Sequence, residues 1–188
     1  MARSGAPTVP DLVVLSLLAE APRHGYDLNA ELERRDVRDW AGISRPQVYY
    51  SLKKARAAGW IALEASAEAP AGPERQVYWL TPAGRQALAD ALEREDWATD
   101  RTPPPFLTWL ALSAHARPRA LPALLARRRA YLAGELARER GTLAALRRHG
   151  GAGPRTASWM VDLTIRQFEV ELAWLDEVEA DWEEGKRR

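Results

Sequence analysis

The clearest capacity for chemistry in this chain lies in a cluster of cations on one short stretch. Residues 41–61 read AGISRPQVYYSLKKARAAGWI and carry Arg45, Lys53, Lys54 and Arg56 with no acid among them. The whole chain is nearly balanced, with 27 Lys+Arg, 26 Asp+Glu and a formal net charge of +1. Uncompensated local cations suit a polyanion, because phosphates are recognised by Lys and Arg at close range. The plainer reading is a solvated helix face, since Lys and Arg are ordinary surface residues.

Other chemistries are poorly supplied. Cysteine is absent, which excludes a disulfide framework, a thiolate metal site and a Cys nucleophile, and fits a reducing cytoplasm. The three histidines, His24, His115 and His149, sit in separate segments. His24 and Asp27 at i, i+3 are a weak metal signal, and a hydrogen-bonded structural His is the better reading. No G-x-S-x-G elbow occurs, and GGAGP at 150–154 lacks the Lys-Ser/Thr of a phosphate loop. The expectation is a non-enzyme with no cofactor and no metal.

Bulk composition agrees. Hydrophobic residues make up 46% of the 188 and charged residues 28%, the profile of a soluble globular chain. Residues 1–95 hold 12 Lys+Arg against 13 Asp+Glu, and residues 96–188 hold 15 against 13. Neither half is basic in bulk, so any nucleic-acid reading rests on local clustering. Ala, Arg, Gly and Pro usage suits a GC-rich bacterial genome. Arg3, LVVLSLL and AEA at 19–21 imitate a signal peptide, but the apolar run is short and Asp11 abuts it. A buried first helix fits better, and no apolar run approaches the roughly 20 residues that span a bilayer.

The elements that must position the cations follow from local signals. Residues 11–21 form an apolar helix that Pro22 ends, and HGYDLNAELERRD continues with helical spacing of Tyr26, Leu28 and Leu32. Gly42 marks a turn. Ser44 to Gln47 matches a capping box, with Pro46 in the first helical turn. Val48, Leu52 and Ala55 recur as an inward stripe. Gln47, Tyr50 and Lys54 are expected on the opposite side, with Ser51 and Lys53 on the flanks. Gly59 closes the helix. WIALEAS and RQVYWLT read as two strands around a turn-rich loop, and Thr81-Pro82 caps a helix running to about Glu95.

DRTPPPF at 100–106 is the sharpest boundary. It divides the chain into a domain at 1–99, a Pro-rich linker at 100–105 and a helical domain at 106–188. The latter is expected to hold a short helix to about Ala114, a long one from Arg119 to about His149, and a last one from about Arg155 to Glu184. Val161, Ile165, Phe168, Leu172, Leu175 and Trp182 follow a heptad interrupted at Glu179. The preceding helix carries Leu121, Leu125, Leu132, Leu136, Leu143 and Leu146 on one stripe. This seam could close within one chain as a hairpin. A dimerisation arm is the reading preferred here, with the six heptad residues at the dimer interface.

Helix, helix, capped basic helix, hairpin, helix is the order of a winged helix-turn-helix. The fold class is mainly α with a small β-hairpin wing, followed by a helical dimerisation domain. In this setting PRHGY at 22–26, QVYYSLKK at 47–54, GWI at 59–61 and RQVYWLTPAG at 75–84 resemble the PadR family of bacterial transcriptional regulators. The resemblance spans roughly residues 11–85. Two positions depart from its usual pattern: Ala55, where a larger aliphatic residue is common, and Trp60, where Leu is usual.

The resemblance implies a helix at 44–58 lying in the DNA major groove, as the residues allow. Arg45 could bind guanine O6 and N7, and Gln47 could pair with adenine N6 and N7. Ser44 would sit at the helix start beside them. Tyr49, Tyr50, Lys53 and Lys54 would hold phosphates, Arg75 would reach from the wing, and Tyr26 would lie near the backbone. Tyr49 has a second reading, as a packing partner of Leu52. A homodimer would read an inverted-repeat operator on double-stranded DNA, as a repressor. Some members of the family bind flat aromatic effectors, and the resemblance implies Trp109 or Trp159 as a stacking surface for one. Trp40, Trp60 and Trp79 are expected in the core. The competing class is a protein-interaction adaptor, which would show no operator and little salt dependence.

Overall fold

The computed structural model describes residues 5–63, 76–99, 104–117, 119–148 and 155–185. The chain divides into two compact units, residues 1–101 and 102–188. In the first, α1 (Val9–Glu20), β1 (Arg23–His24), α2 (Gly25–Arg34), α3 (Val37–Ala41) and α4 (Arg45–Ala57) precede β2 (Ile61–Leu63) and β3 (Val77–Leu80). Helices α5 (Pro82–Leu92) and α6 (Asp96–Thr99) follow. The second unit holds α7 (Pro105–Leu112), a 3₁₀ turn at Ser113–His115, α8 (Ala120–Arg148) and α9 (Arg155–Gly185).

Helix α1 is buried on most faces because Leu12, Val13, Val14, Leu15, Leu17 and Leu18 leave almost no polar side. Around it gather Leu28 and Leu32 of α2, Val48, Leu52 and Ala55 of α4, and Ile61, Tyr78 and Leu80 of the strands. Ala55 and Trp60 belong to this same core. The two departures from the family pattern thus exchange volume within one cluster. Only Trp60 of the three expected core tryptophans is buried. Trp40 and Trp79 are exposed, and Trp40 Nε1 donates to the Arg35 carbonyl.

The expected hairpin forms, pairing Ile61 with Leu80 and Leu63 with Tyr78 in antiparallel register. A third strand was not anticipated. β1, two residues long, pairs Arg23 with Tyr78, so β3 lies between β1 and β2. The outer part of the expected hairpin, including Arg75, lies outside the described residues.

The close contact between hairpin and α5 requires glycine. Thr81 caps α5 by accepting from the Gly84 amide at 3.0 Å, while its hydroxyl donates to the carbonyls of Gly59 and Trp60. A Cβ on Gly84 would sit 1.9 Å from the Trp60 carbonyl oxygen. Gly42 and Gly59 adopt left-handed φ values of 63° and 74° at the ends of α3 and α4, as helix C-termini favour.

Between α1 and α2 a charge network links Glu20 and Glu31 to Arg23, Arg34 and Arg35. The Arg34 and Arg35 guanidiniums beside Glu31 hold its carboxyl down to about 2.

In the second unit α8 and α9 form a hairpin. Leu136 and Leu143 pack on Val161 and Ile165, and Leu125 and Leu132 pack on Leu175. Phe168 and Leu172 are half-buried in the same seam. This is the packing of the hairpin alternative. The heptad face closes within one chain, and Val161, Ile165, Phe168, Leu172 and Leu175 are core residues of the hairpin. Trp182 is half-buried near the end of α9. Pro105 opens α7 rather than ending a linker.

Two outcomes follow for stability. Gly84→Ala should cost about 3 kcal/mol, at the upper end of overpacking penalties, because the obstacle is backbone; thermal unfolding would measure it. For Glu31 the depressed folded pKa means its stabilisation is complete above the ordinary carboxylate range and lost as pH falls through about 2. The unfolding midpoint should fall between pH 4.5 and 2, and less steeply in Glu31→Gln.

Candidate nucleic-acid interface

Helix α4 carries the cations and is fixed at its start by its own sequence. Gln47 Oε1 accepts from the Ser44 amide at 2.7 Å and from the Ser44 hydroxyl at 2.8 Å. This is the reaching-back half of the capping box. It has a chemical consequence for Gln47. The carbonyl oxygen is occupied, so only Nε2, an N–H donor, remains for an outside partner. The expected bidentate pairing with adenine needs both atoms and would require the cap to open.

The outward face is set by what α4 buries. Val48, Ser51, Leu52 and Ala55 point into the unit. Tyr50 is 70% exposed, and Lys53 and Arg56 are exposed. Arg45 is 64% exposed in its side chain and reaches Glu33 Oε1 at 3.4 Å, an oxygen that Arg38 also contacts. An exposed pair of this kind contributes little, so Arg45 is available to a stronger anion. Arg45, Tyr50, Lys53 and Arg56 therefore form the presented surface. Arg56 was counted among the cations but not singled out, and its exposure adds it to the set.

Two expected site residues are turned elsewhere. Lys54 faces α1, not solvent: its Nζ is 2.5 Å from Asp11 Oδ2. It also lies 5.7 Å from the Trp60 ring centroid. Ser51, expected on a flank, is buried. Tyr49 packs on the core edge, and its hydroxyl accepts from Asn29 Nδ2 at 3.3 Å. That is the packing alternative rather than an open phosphate contact. Tyr26 is exposed at the start of α2 and stacks on His24 with centroids 5.3 Å apart.

The carboxylate that receives Lys54 is the N3 acid of a capping box that Thr8 opens at the start of α1, a local signal that says nothing of Lys54. Burial alone would raise the Asp11 pKa, but hydrogen bonds from Lys54, Thr8 and Ser51 prevail and hold it below the ordinary range. Thr8 supplies both its amide and its hydroxyl at 2.8 Å.

The two effector candidates differ in setting. Trp109 is half-buried and stacks on Phe106 at 5.7 Å, whereas Trp159 is exposed on α9. An open groove of about 430 Å³ runs along Trp79, Leu80, Pro82, Arg85, Gln86 and Ala89. It includes neither tryptophan. Among the described residues no cluster of three His, Cys, Asp or Glu could hold a metal, and no helix is long and apolar enough to cross a membrane.

Comparison with known proteins agrees with this geometry. Residues 14–90 match the family described as Transcriptional regulator PadR-like family. The chain is similar to Bacillus subtilis PadR in complex with operator DNA, with TM-score 0.72 and 20% identity over 92% of this chain and 98% of that one. It is similar to the same protein in complex with p-coumaric acid, with TM-score 0.69 and 18% identity over 92% and 98%. It is also similar to the PadR-like regulator BC1756 from Bacillus cereus, with TM-score 0.69 and 16% identity over 94% and 99%. No curated protein matches it in sequence. Residues 14–90 thus match the PadR-like family of transcriptional regulators, in a chain with the fold of whole PadR structures.

Proposed function

We propose that this protein is a homodimeric transcriptional repressor that binds an inverted-repeat operator in double-stranded DNA through α4. The observation that carries this reading is the presented face of α4, where Arg45, Tyr50, Lys53 and Arg56 stand exposed on a helix without an acid. Arg45, at the first helical position, reads guanine, and Gln47 offers its amide N–H to an acceptor on a neighbouring base. Lys53, Arg56 and Tyr50 hold phosphates, with Tyr26 and Arg75 as outer contacts. Ser44 serves the site by holding Gln47. The B. subtilis relative crystallised with operator DNA supports the class of partner.

The second copy lies on the outer face of α9. Trp159, Leu163 and Val170 are 63%, 57% and 70% exposed there, on the side opposite the α8 seam, and Trp174, half-buried against the Leu125–Leu132–Leu175 cluster, follows at the same spacing. The spacing Trp159, Leu163, Val170, Trp174 reads 4, 7, 4 from either end. Two antiparallel copies, related by a two-fold between Arg166 and Gln167, would match Trp159 with Trp174 and Leu163 with Val170. Arg155 at one end would then approach Glu177 and Asp181 of the other copy.

A flat aromatic acid relieves repression, by analogy with the p-coumaric acid complex, and Trp109 stacked on Phe106 is the better placed of the two candidates. The protein acts in the cytoplasm.

Binding to a duplex from the gene's own upstream region should weaken steeply with salt, by a log–log slope of about −0.9 per phosphate contact. Lys53→Ala should flatten that slope by about 0.9 and weaken all sequences alike. Arg45→Ala should cost about 1–3 kcal/mol and relax preference at one base pair. Weak binding that ignores salt would sink the reading in favour of a protein-interaction adaptor.

Sedimentation should show a dimer for the wild type and a folded monomer for Leu163→Asp, which should also lose operator affinity. A monomeric wild type would remove the dimer from the proposal.

A further inference from the structure

Asp11 is 1% exposed on a helix whose other buried residues are all aliphatic. A carboxylate there is costly unless paired and hydrogen-bonded. Its pairing comes from α4. Lys54 Nζ contacts Oδ2, and Ser51, one turn earlier on α4, is also buried. The Lys54 Nζ lies over the Trp60 ring, and its ammonium also donates to the Ala6 carbonyl at 3.4 Å. One carboxylate thereby joins the approach to α1, α1 itself and α4.

Apolar packing alone tolerates sliding and rotation, because Val48, Leu52 and Ala55 make contacts without fixed direction. A buried ion pair does not. It has one geometry in which both charges are satisfied, and loss of either partner strands the other.

We propose that Lys54 is a positioning residue: its part-buried pair with Asp11 fixes the rotation and axial position of α4 on α1. That setting turns Arg45, Tyr50, Lys53 and Arg56 outward, and Lys54 itself touches no phosphate. The consequence for DNA rests on the reading of α4 as the DNA-contacting helix. The strut does not.

The test uses full-length protein and three variants: Asp11→Asn, Lys54→Met and the double variant, each first checked for a cooperative thermal transition. Without DNA, hydrogen exchange of amides 45–57 should be at least tenfold faster in each single variant. In the double variant, where neither charge is stranded, protection should return toward the wild type. On the upstream duplex both single variants should lose affinity at least tenfold while keeping the wild-type salt slope, although Asp11 is too deep to meet DNA.

The proposal is overturned if exchange in 45–57 is unchanged, or if the two effects simply add. It is also overturned if Lys54→Met flattens the salt slope by about 0.9 while Asp11→Asn leaves affinity intact, since Lys54 would then be a phosphate contact. A wild type that binds no DNA would remove the DNA reading, and the exchange results would still decide the strut.

Discussion

The seating of α4 on α1 is the constraint on which the winged unit depends. A helix that displays cations must be held by its remaining surface, and α4 fully buries only Val48, Ser51, Leu52 and Ala55. This stripe is narrow and contains one serine and one alanine. Ala55 lets α4 come close to α1, and Trp60, following the Gly59 turn, restores the volume its small neighbour gives up. The hydrogen bond from the Trp60 amide to the Ala55 carbonyl closes the end of the helix. The wing then starts from the carbonyl of that same Trp60, which accepts from the Thr81 amide and hydroxyl. Helix, wing and α5 are therefore registered on one another through a few backbone atoms.

The helical unit solves a different problem. Its seam is long, and a heptad can slip by one repeat at little cost in apolar contact. Ion pairs along the seam discriminate between registers: Arg128 with Glu171, Arg129 with Asp176 and Glu179, and Arg140 with Glu169. Each is partly solvated and contributes little alone. Together they are satisfied in one alignment of α8 on α9.

Local signals made most elements legible. The Ser44 cap, Pro46, Gly59, Thr81-Pro82 and the proline run all act within a few residues, and the helices start and stop close to them. Elements without periodicity were not legible. β1 is two residues long and exists because β3 has a free edge to offer, and α3 has five residues. Nor does a period say whose surface covers a face. The α9 heptad announced burial correctly, yet its cover is α8 of the same chain. Lys54 shows the same limit at one residue. The inward stripe of Val48, Leu52 and Ala55 puts it on the outward side, and only its pairing with Asp11 turns it toward α1. Tyr49 likewise follows Asn29, twenty residues away. The exposed set, Arg45, Tyr50 and Lys53, was legible because charge and exposure coincide there.

Gln47 divides two duties between the two ends of a single amide. Its oxygen belongs to the fold, since the Ser44 backbone holds it whatever side chain stands at position 44. Its nitrogen belongs to the outside. Glutamate at this position would keep the oxygen and with it the helix start, while replacing an outward donor by an outward acceptor. A lineage could therefore rewrite what α4 asks of its partner by exchanging one nitrogen for one oxygen, with the scaffold left as it was.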